Sequence, residues 1–504
     1  MRSIVVVLTG SIVVVCGAVA GCNTAGIKSG TGGVGGGGNV GSGSGGTAGA
    51  TTGTGGNTTS VPPVGTPCDN LSCLQSTCTK GGCKVSACAG GARTTVSGQV
   101  FDPAGKVPLY NIEVYVPNKD LTPISDGPSC DPCDPSTGAS FLSGQPIVVT
   151  KTDVAGKFVL GDLNSKGGDA PAGDNIPLVI QVGKWQRRVI VPHIDACKDN
   201  PLTDMNMTRL PRTQAEGHIP KFALTTGQAD AMECLLRKVG IDDSEFTPET
   251  GMGRINLYAG GGGAASYDTA NVNAGAAFTP VHPWWDSLDN LKKYDIIMHA
   301  CEGGQGTYTN NNPPPSDKSP AAMQALQDFA DMGGRVFASH WHTYWFAKGT
   351  PAFQSIGTFN QNPGLPTMYD ATIETGFVTG MALSQWMVNV GGSTTPGIVS
   401  LNQNANKRLV DAAAGGNISQ RWIYASTLNP QSVQFISATT PIPGGSCGRV
   451  VLSDLHVSSG VGANTDTPGL PFPTGCLTTD LTPQEKVLEF MLFDIAGCVQ
   501  KIIQ

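Results

Sequence analysis

Residues 321–342 read AAMQALQDFADMGGRVFASHWH, and the rest of the architecture follows from this stretch. Residues 321–332 have apolar side chains at helical spacing and predict an amphipathic helix, which Gly333-Gly334 ends. Residues 335–339, RVFAS, predict the strand that follows. On either side, 221–225 (KFALT), 254–258 (RINLY) and 449–453 (RVVLS) predict further strands. Residues 291–298 read as a helix end feeding a buried strand. Helices are predicted over 228–239, with Ala231, Leu235, Leu236 and Val239 on one face, and over 483–496, with proline at an early turn. Strands separated by helices need crossover connections, hence a largely parallel sheet covered on both faces.

Upstream, residues 94–210 change period. Residues 96–101, 111–116, 152–160 and 178–182 alternate or run apolar and are broken by turn signals such as Asp102-Pro103-Ala104-Gly105, which argues a β-sandwich. The predicted fold class is multidomain α+β: a β-sandwich over 94–210, then a three-layer α/β domain with a mostly parallel sheet over 217–504. The wording SGQVFDPAGKVPLYNIEVYV with TKTDVAGKFVL resembles the carboxypeptidase-regulatory-like, transthyretin-like domain. That resemblance implies a seven-stranded accessory, structural or glycan-contacting, with no catalytic residues of its own.

Residues 4–22, IVVVLTGSIVVVCGAVAGC, follow Arg2, are short for a membrane-spanning helix, and close on small residues before Cys22. This resembles a bacterial lipoprotein signal over 1–22, which implies lipidation of Cys22, an N-terminal lipid such as palmitate in a membrane, and an extracytoplasmic chain, expected on the outer membrane of a Gram-negative bacterium. The alternative is an uncleaved anchor helix. Residues 23–67 are Gly, Ser, Thr, Ala and Val with too little apolar surface to order, and read as a tether. About 40 such residues reach roughly 35 Å by random-coil scaling. Net charge is −7 and the pI near 5.5, so nucleic acid is excluded as a partner.

The chain has 15 cysteines, which in an exported protein read as a disulfide framework. Without Cys16 and Cys22 thirteen remain, an odd number, so one free thiol or one bond to another molecule is expected. Cys68, Cys73, Cys78, Cys83 and Cys88 recur every five residues in the 68–93 segment. They lack the tight pairs of zinc sites and read as a small disulfide knot. Cys130 and Cys133 in SCDPCDP read as structural disulfides, not a redox pair. Bonds Cys447–Cys476, stapling a Gly/Pro-rich excursion, and Cys234–Cys498, tying the start of the last domain to its end, are the expected pairings there. Cys301 is expected to be disulfide-bonded or buried.

Ligands of open parallel sheets sit beyond the carboxyl ends of the strands. Three strand ends here are polar: His299, Cys301 and Glu302; Ser339, His340 and His342; Asp454 and His456. Four of the seven histidines fall at these ends. LKKYDIIMHACEGG, LQDFADMGGRVFASHWH and GRVVLSDLHV resemble the class I glutamine amidotransferase-like fold, nearest its trehalose-utilisation-protein-like branch. In that family a cysteine occupies the turn after the strand matching 335–339 and a histidine follows the late strand. His456 matches the histidine, but the turn holds Ser339-His340-Trp341, so glutamine hydrolysis is not expected.

Two chemistries suit the residues. His340, His342, Asp454 and His456 offer imidazole and carboxylate donors for a divalent ion such as zinc. Alternatively Ser339 is a nucleophile with His456 as its base and Asp454 or Glu302 orienting the ring, though no G-x-S-x-G elbow surrounds it. The bland alternative is that these histidines bond their own loops. Trp285, Trp341 and Trp345 form an aromatic set that would stack on sugar faces or else close the core. The leading expectation is a lipoprotein binding carbohydrate or another cell-surface ligand through a degenerate amidotransferase-like domain, with zinc the one cofactor the residues suggest. A metal-assisted hydrolase and a structural adhesin are the alternatives.

Overall fold

The computed structural model describes residues 88–502 apart from 134–141, 271, 305–317, 360–361, 364, 403–406, 409, 427–431, 458–465 and 501. The leader, Cys22, the tether and Cys68, Cys73, Cys78 and Cys83 lie outside the described residues.

Seven strands come first: β1 (Thr95–Gln99), β2 (Glu113–Pro117), β3 (Pro146–Lys151), β4 (Lys157–Leu160), β5 (Gly173–Val182), β6 (Trp185–Ile194) and β7 (Asp199–Pro201). They form two sheets, in the orders β4-β1-β7 and β3-β2-β5-β6, antiparallel except where β1 meets β7. The DVAG turn before β4 closes because Asp153 Oδ1 accepts the N–H groups of Ala155 and Lys157. Gly156 takes φ 71° there, and a Cβ on it would stand 2.7 Å from Pro108 Cβ and 2.9 Å from the Val100 carbonyl oxygen.

One large mixed sheet follows. Its strands are β8 (Phe222–Thr225), β9 (Phe246–Thr247), β10 (Ile255–Ala259), β11 (Thr279–Pro280), β12 (Ile296–His299), β13 (Arg335–Ser339), β14 (Met368–Ile373), β15 (Ile398–Asn402), β16 (Gln420–Ala425), β17 (Ser432–Thr440) and β18 (Gly448–Ser453). The order is β11-β10-β8-β12-β13-β18-β17-β16-β14-β15, with β9 also on β10. Every pairing from β11 to β18 is parallel, and every pairing from β18 to β15 is antiparallel. The parallel half is the predicted one; the antiparallel half extends it by four strands.

Helices α1 (Met232–Lys238), α2 (Pro320–Asp331), α3 (Val378–Asn389) and α4 (Pro483–Ala496) are the longest. Ser319 caps α2 by accepting the Ala322 N–H ahead of Pro320, and Thr482 with Glu485 forms a capping box on α4. Successive strand residues alternate between two cores, as the pleat requires. Phe222, Leu224, Met298, Phe337 and Val451 share one core with residues of α1 and α4. Ala223, Ile297, Val336, Ala338, Val450 and Leu452 share the other with Leu326 and Phe329 of α2. Val96, Val114, Phe158 and Leu178 of the small sheets belong to the first core, so the apolar interior runs without a break from the small sheets into the large one.

The disulfides correct two expected pairings. Cys447 bonds Cys130, Cys498 bonds Cys133 and Cys476 bonds Cys234, while Cys88 bonds Cys197. The insertion carrying Cys130 and Cys133 lies along the segment after α4, where Val499 N–H donates to Asp131 O at 2.8 Å and Cys133 N–H to Val499 O at 3.0 Å. That pairing sets Cys133 beside its partner Cys498.

Candidate metal centre

β12, β13 and β18 are parallel neighbours, and Ser339 stands level with Ser453. Their carboxyl ends therefore open side by side. Chain reversal after β13 places His340 at φ 42°, left-handed backbone that a non-glycine residue takes at a cost of about 1–3 kcal/mol. That turn carries the imidazole back toward the neighbouring strand ends. Cys301 Sγ lies 3.4 Å from His340 Nδ1, and the His340 and His456 rings meet edge to face with centroids 4.7 Å apart. One donor atom from each of Cys301, His340 and His456 lies within 4.8 Å of the others, a group that could hold a metal ion.

All three side chains are fully buried. Burial drives the His456 pKa down to about 4, so its ring is neutral. Both of its nitrogens lack a hydrogen-bond partner. Burial also pushes the Cys301 thiol well above its ordinary range, and Gly303 N–H donates to its sulfur at 3.4 Å. Cys301 is the free cysteine among the described residues.

The other predicted residues are placed differently. His342 does not join the group, because Trp345 Nε1–H donates to its Nδ1 at 3.1 Å and its Nε2 bonds Ala300 O at 2.9 Å. Both nitrogens are thus committed, and the ring stacks on His299 at 4.9 Å. Asp454 also stands outside the three-donor group, with its backbone N–H bonded to Gln434 O. Ser339 donates its hydroxyl to Asp230 Oδ2 at 2.5 Å instead of to His456. Glu302 accepts the Gly261 N–H, with Lys318 Nζ 3.6 Å and His342 Nε2 4.0 Å from its other oxygen. Burial raises the Glu302 pKa and Lys318 opposes it.

Trp285 and Trp345 are fully buried, packed edge to face at 5.3 Å with Lys318 Nζ about equally near both, at 5.1 and 5.2 Å. Neither ring has a face left for a sugar, so stacking does not fit them; Trp341 is half-buried. A cleft of about 900 Å³ lies elsewhere, between the 102–108 turn, the end of α1 and residues 477–481. The sequence reading placed Cys301 at a strand end but not among the metal donors, and it did not single out Asp230. The odd cysteine count pointed to a free thiol, whereas nothing local marks Asp230.

No protein-family model matches the chain, and no curated protein matches it. Among solved structures, a putative GMP synthase subunit from Thermoplasma acidophilum is similar at 8% identity and a TM-score of 0.27, covering 55% of this chain and 95% of that one. A putative ThuA-like protein from Bacteroides uniformis is similar at 9% identity and a TM-score of 0.24, covering 47% and 81%. A cytoplasmic protein of Salmonella typhimurium follows at 12% identity and a TM-score of 0.25, covering 56% and 100%. Likenesses of that size carry no argument about function.

Proposed function

We propose that this is an exported lipoprotein, anchored through Cys22, whose mixed α/β unit holds one divalent transition-metal ion at Cys301, His340 and His456. In this reading residues 94–210 are a carboxypeptidase-regulatory-like β-sandwich. Residues 217–504 are an amidotransferase-like three-layer domain that has exchanged its nucleophile for His340. The observation that carries the proposal is the neutral, fully buried His456 ring with two unpartnered nitrogens. A buried polar atom left unbonded costs about 1–3 kcal/mol, which a metal bond would offset.

Thiolate and two imidazoles suit zinc. Zinc bonds of about 2.0–2.3 Å set tetrahedral donors roughly 3.3–3.8 Å apart. The Cys301–His340 pair already has that separation, and the whole group lies within 4.8 Å. Three protein donors leave a fourth position for water, the pattern of hydrolytic zinc sites. Enclosure of all three donors restricts that position to water or a ligand of similar size.

Metal analysis of the purified mature chain should return one zinc per chain. Cobalt(II) in its place should give a thiolate charge-transfer band that Cys301→Ser abolishes, and His456→Ala should lose stoichiometric metal. A folded chain that takes up neither zinc nor cobalt would sink the proposal.

A further inference from the structure

The turn at 227–230, between β8 and α1, contributes no donor to the centre, yet it touches all three strand ends that do. Ala229 N–H donates to the carbonyl oxygen of Cys301 at 3.0 Å. Asp230 Oδ2 accepts the hydroxyl of Ser339, the residue before His340, at 2.5 Å. Asp230 Oδ1 accepts the backbone N–H of Val457, the residue after His456, at 2.8 Å. Gly227 passes so close to the Cys301 segment that a Cβ on it would stand 2.2 Å from Cys301 O and 2.6 Å from Ala300 O. Only a glycine permits that approach.

We infer that Asp230 is the positioning residue of the centre, its two carboxylate oxygens setting the spacing between the His340 and His456 turns; this rests on the metal reading above. The chemistry explains why an aspartate stands there. Two donors, a hydroxyl and a backbone N–H, converge on it from different strand ends, and a carboxylate offers both an acceptor. An asparagine of the same shape would present its NH₂ to one of them, leaving two donors face to face. Asp230 is fully buried, and among the described residues no lysine or arginine makes an ion pair with it.

Outer partners that orient metal ligands typically change affinity 10–100-fold when removed. Chelator competition on the folded full chain should therefore show Asp230→Asn weakening zinc by about 10–100-fold. The cobalt(II) ligand-field spectrum should shift as well, a signature that loss of global stability alone would not produce. Ser339→Ala cuts only the tether to the His340 turn, removes no donor atom, and should weaken zinc by about tenfold. If Asp230→Asn fails to accumulate as folded protein, Ser339→Ala decides. Wild type binding zinc while the variants bind within about twofold of it, with unshifted cobalt spectra, overturns this inference and leaves the metal reading standing. A metal-free wild type overturns both.

Discussion

Replacing Cys130 and Cys133 together by serine will remove most of the stability of the chain. Their bonds to Cys447 and Cys498 close loops of 317 and 365 residues. Loop-entropy arithmetic assigns roughly 5–6 kcal/mol to a single crosslink of that span, and the second bond, closing a loop already shortened by the first, adds less. Folded domains exceed their unfolded chains by only about 5–15 kcal/mol. The double variant should therefore unfold at a far lower denaturant concentration than the oxidised wild type. Each single variant should retain most of the wild-type midpoint, since the remaining bond still joins the same two regions. Coincident denaturation curves for wild type and double variant would contradict this account.

Burial of Glu489 should make wild type lose stability relative to a Glu489→Gln variant as pH rises from 5 to 8, while buried neutral histidines such as His456 act in the opposite direction in both proteins. Asp102, just beyond β1, accepts the N–H groups of Lys106 and Val107 through Oδ1, while Glu489 on α4 is fully buried. Burial raises Asp102 to about 6 and, with the neighbouring Asp102 charge, lifts Glu489 well above the usual carboxylate range. Lys486 pulls weakly the other way. The sign follows from linkage: folded pKa values above the unfolded ones mean the native state holds protons the unfolded state releases. The contribution is whole below pH 4 and is lost as pH climbs through 6. Asp102, also raised by burial, contributes in the same direction. Glu233, lifted by burial to about 8, adds in the same direction. Glu489→Gln keeps a donor for Asp102 and has no proton to release. In chelator, its urea midpoint should exceed wild type at pH 8 and match it near pH 4.5. A difference between variant and wild-type midpoints that does not grow from pH 4.5 to pH 8 would refute the argument.

The parallel half of the large sheet was legible because its signals are local. The apolar face of α2, the Gly333-Gly334 stop and the run of β13 occupy one continuous stretch, and the structure places the strand at Arg335–Ser339 as predicted. The antiparallel half was not. β17 is buried at all nine positions, yet its sequence SVQFISATT mixes polar with apolar residues. Most of those polar groups are satisfied inside, as Tyr369 donates to Gln434, Trp422 to Ser437 and Thr440 to Ala330 O, though the Thr439 hydroxyl finds no partner among the described residues. Periodicity cannot register a strand whose hydroxyls and amides are satisfied by hydrogen bonds rather than exposed.

The site divides in the same way. His340 and His456 announce themselves by ending apolar strands. His342 announces itself equally well, but the helical turn over His340–Thr343 brings Trp345 three residues on to cap its Nδ1. The difference lies in a local hydrogen bond, not in residue type. Asp230 falls inside the predicted 228–239 helix, where a lone acid reads as a solvated side chain. Only the sheet order, which sets β8 beside β12 and brings its turn under β13 and β18, reveals what it touches.

The two long-range sulfur bridges have a consequence for what proteolysis does to the chain. Both join residues before position 134 to residues after 446. A single cut anywhere in between leaves the pieces covalently attached, so a protease can nick the polypeptide without releasing either half. On a gel such a molecule runs as one band until a reductant is added, and then as two.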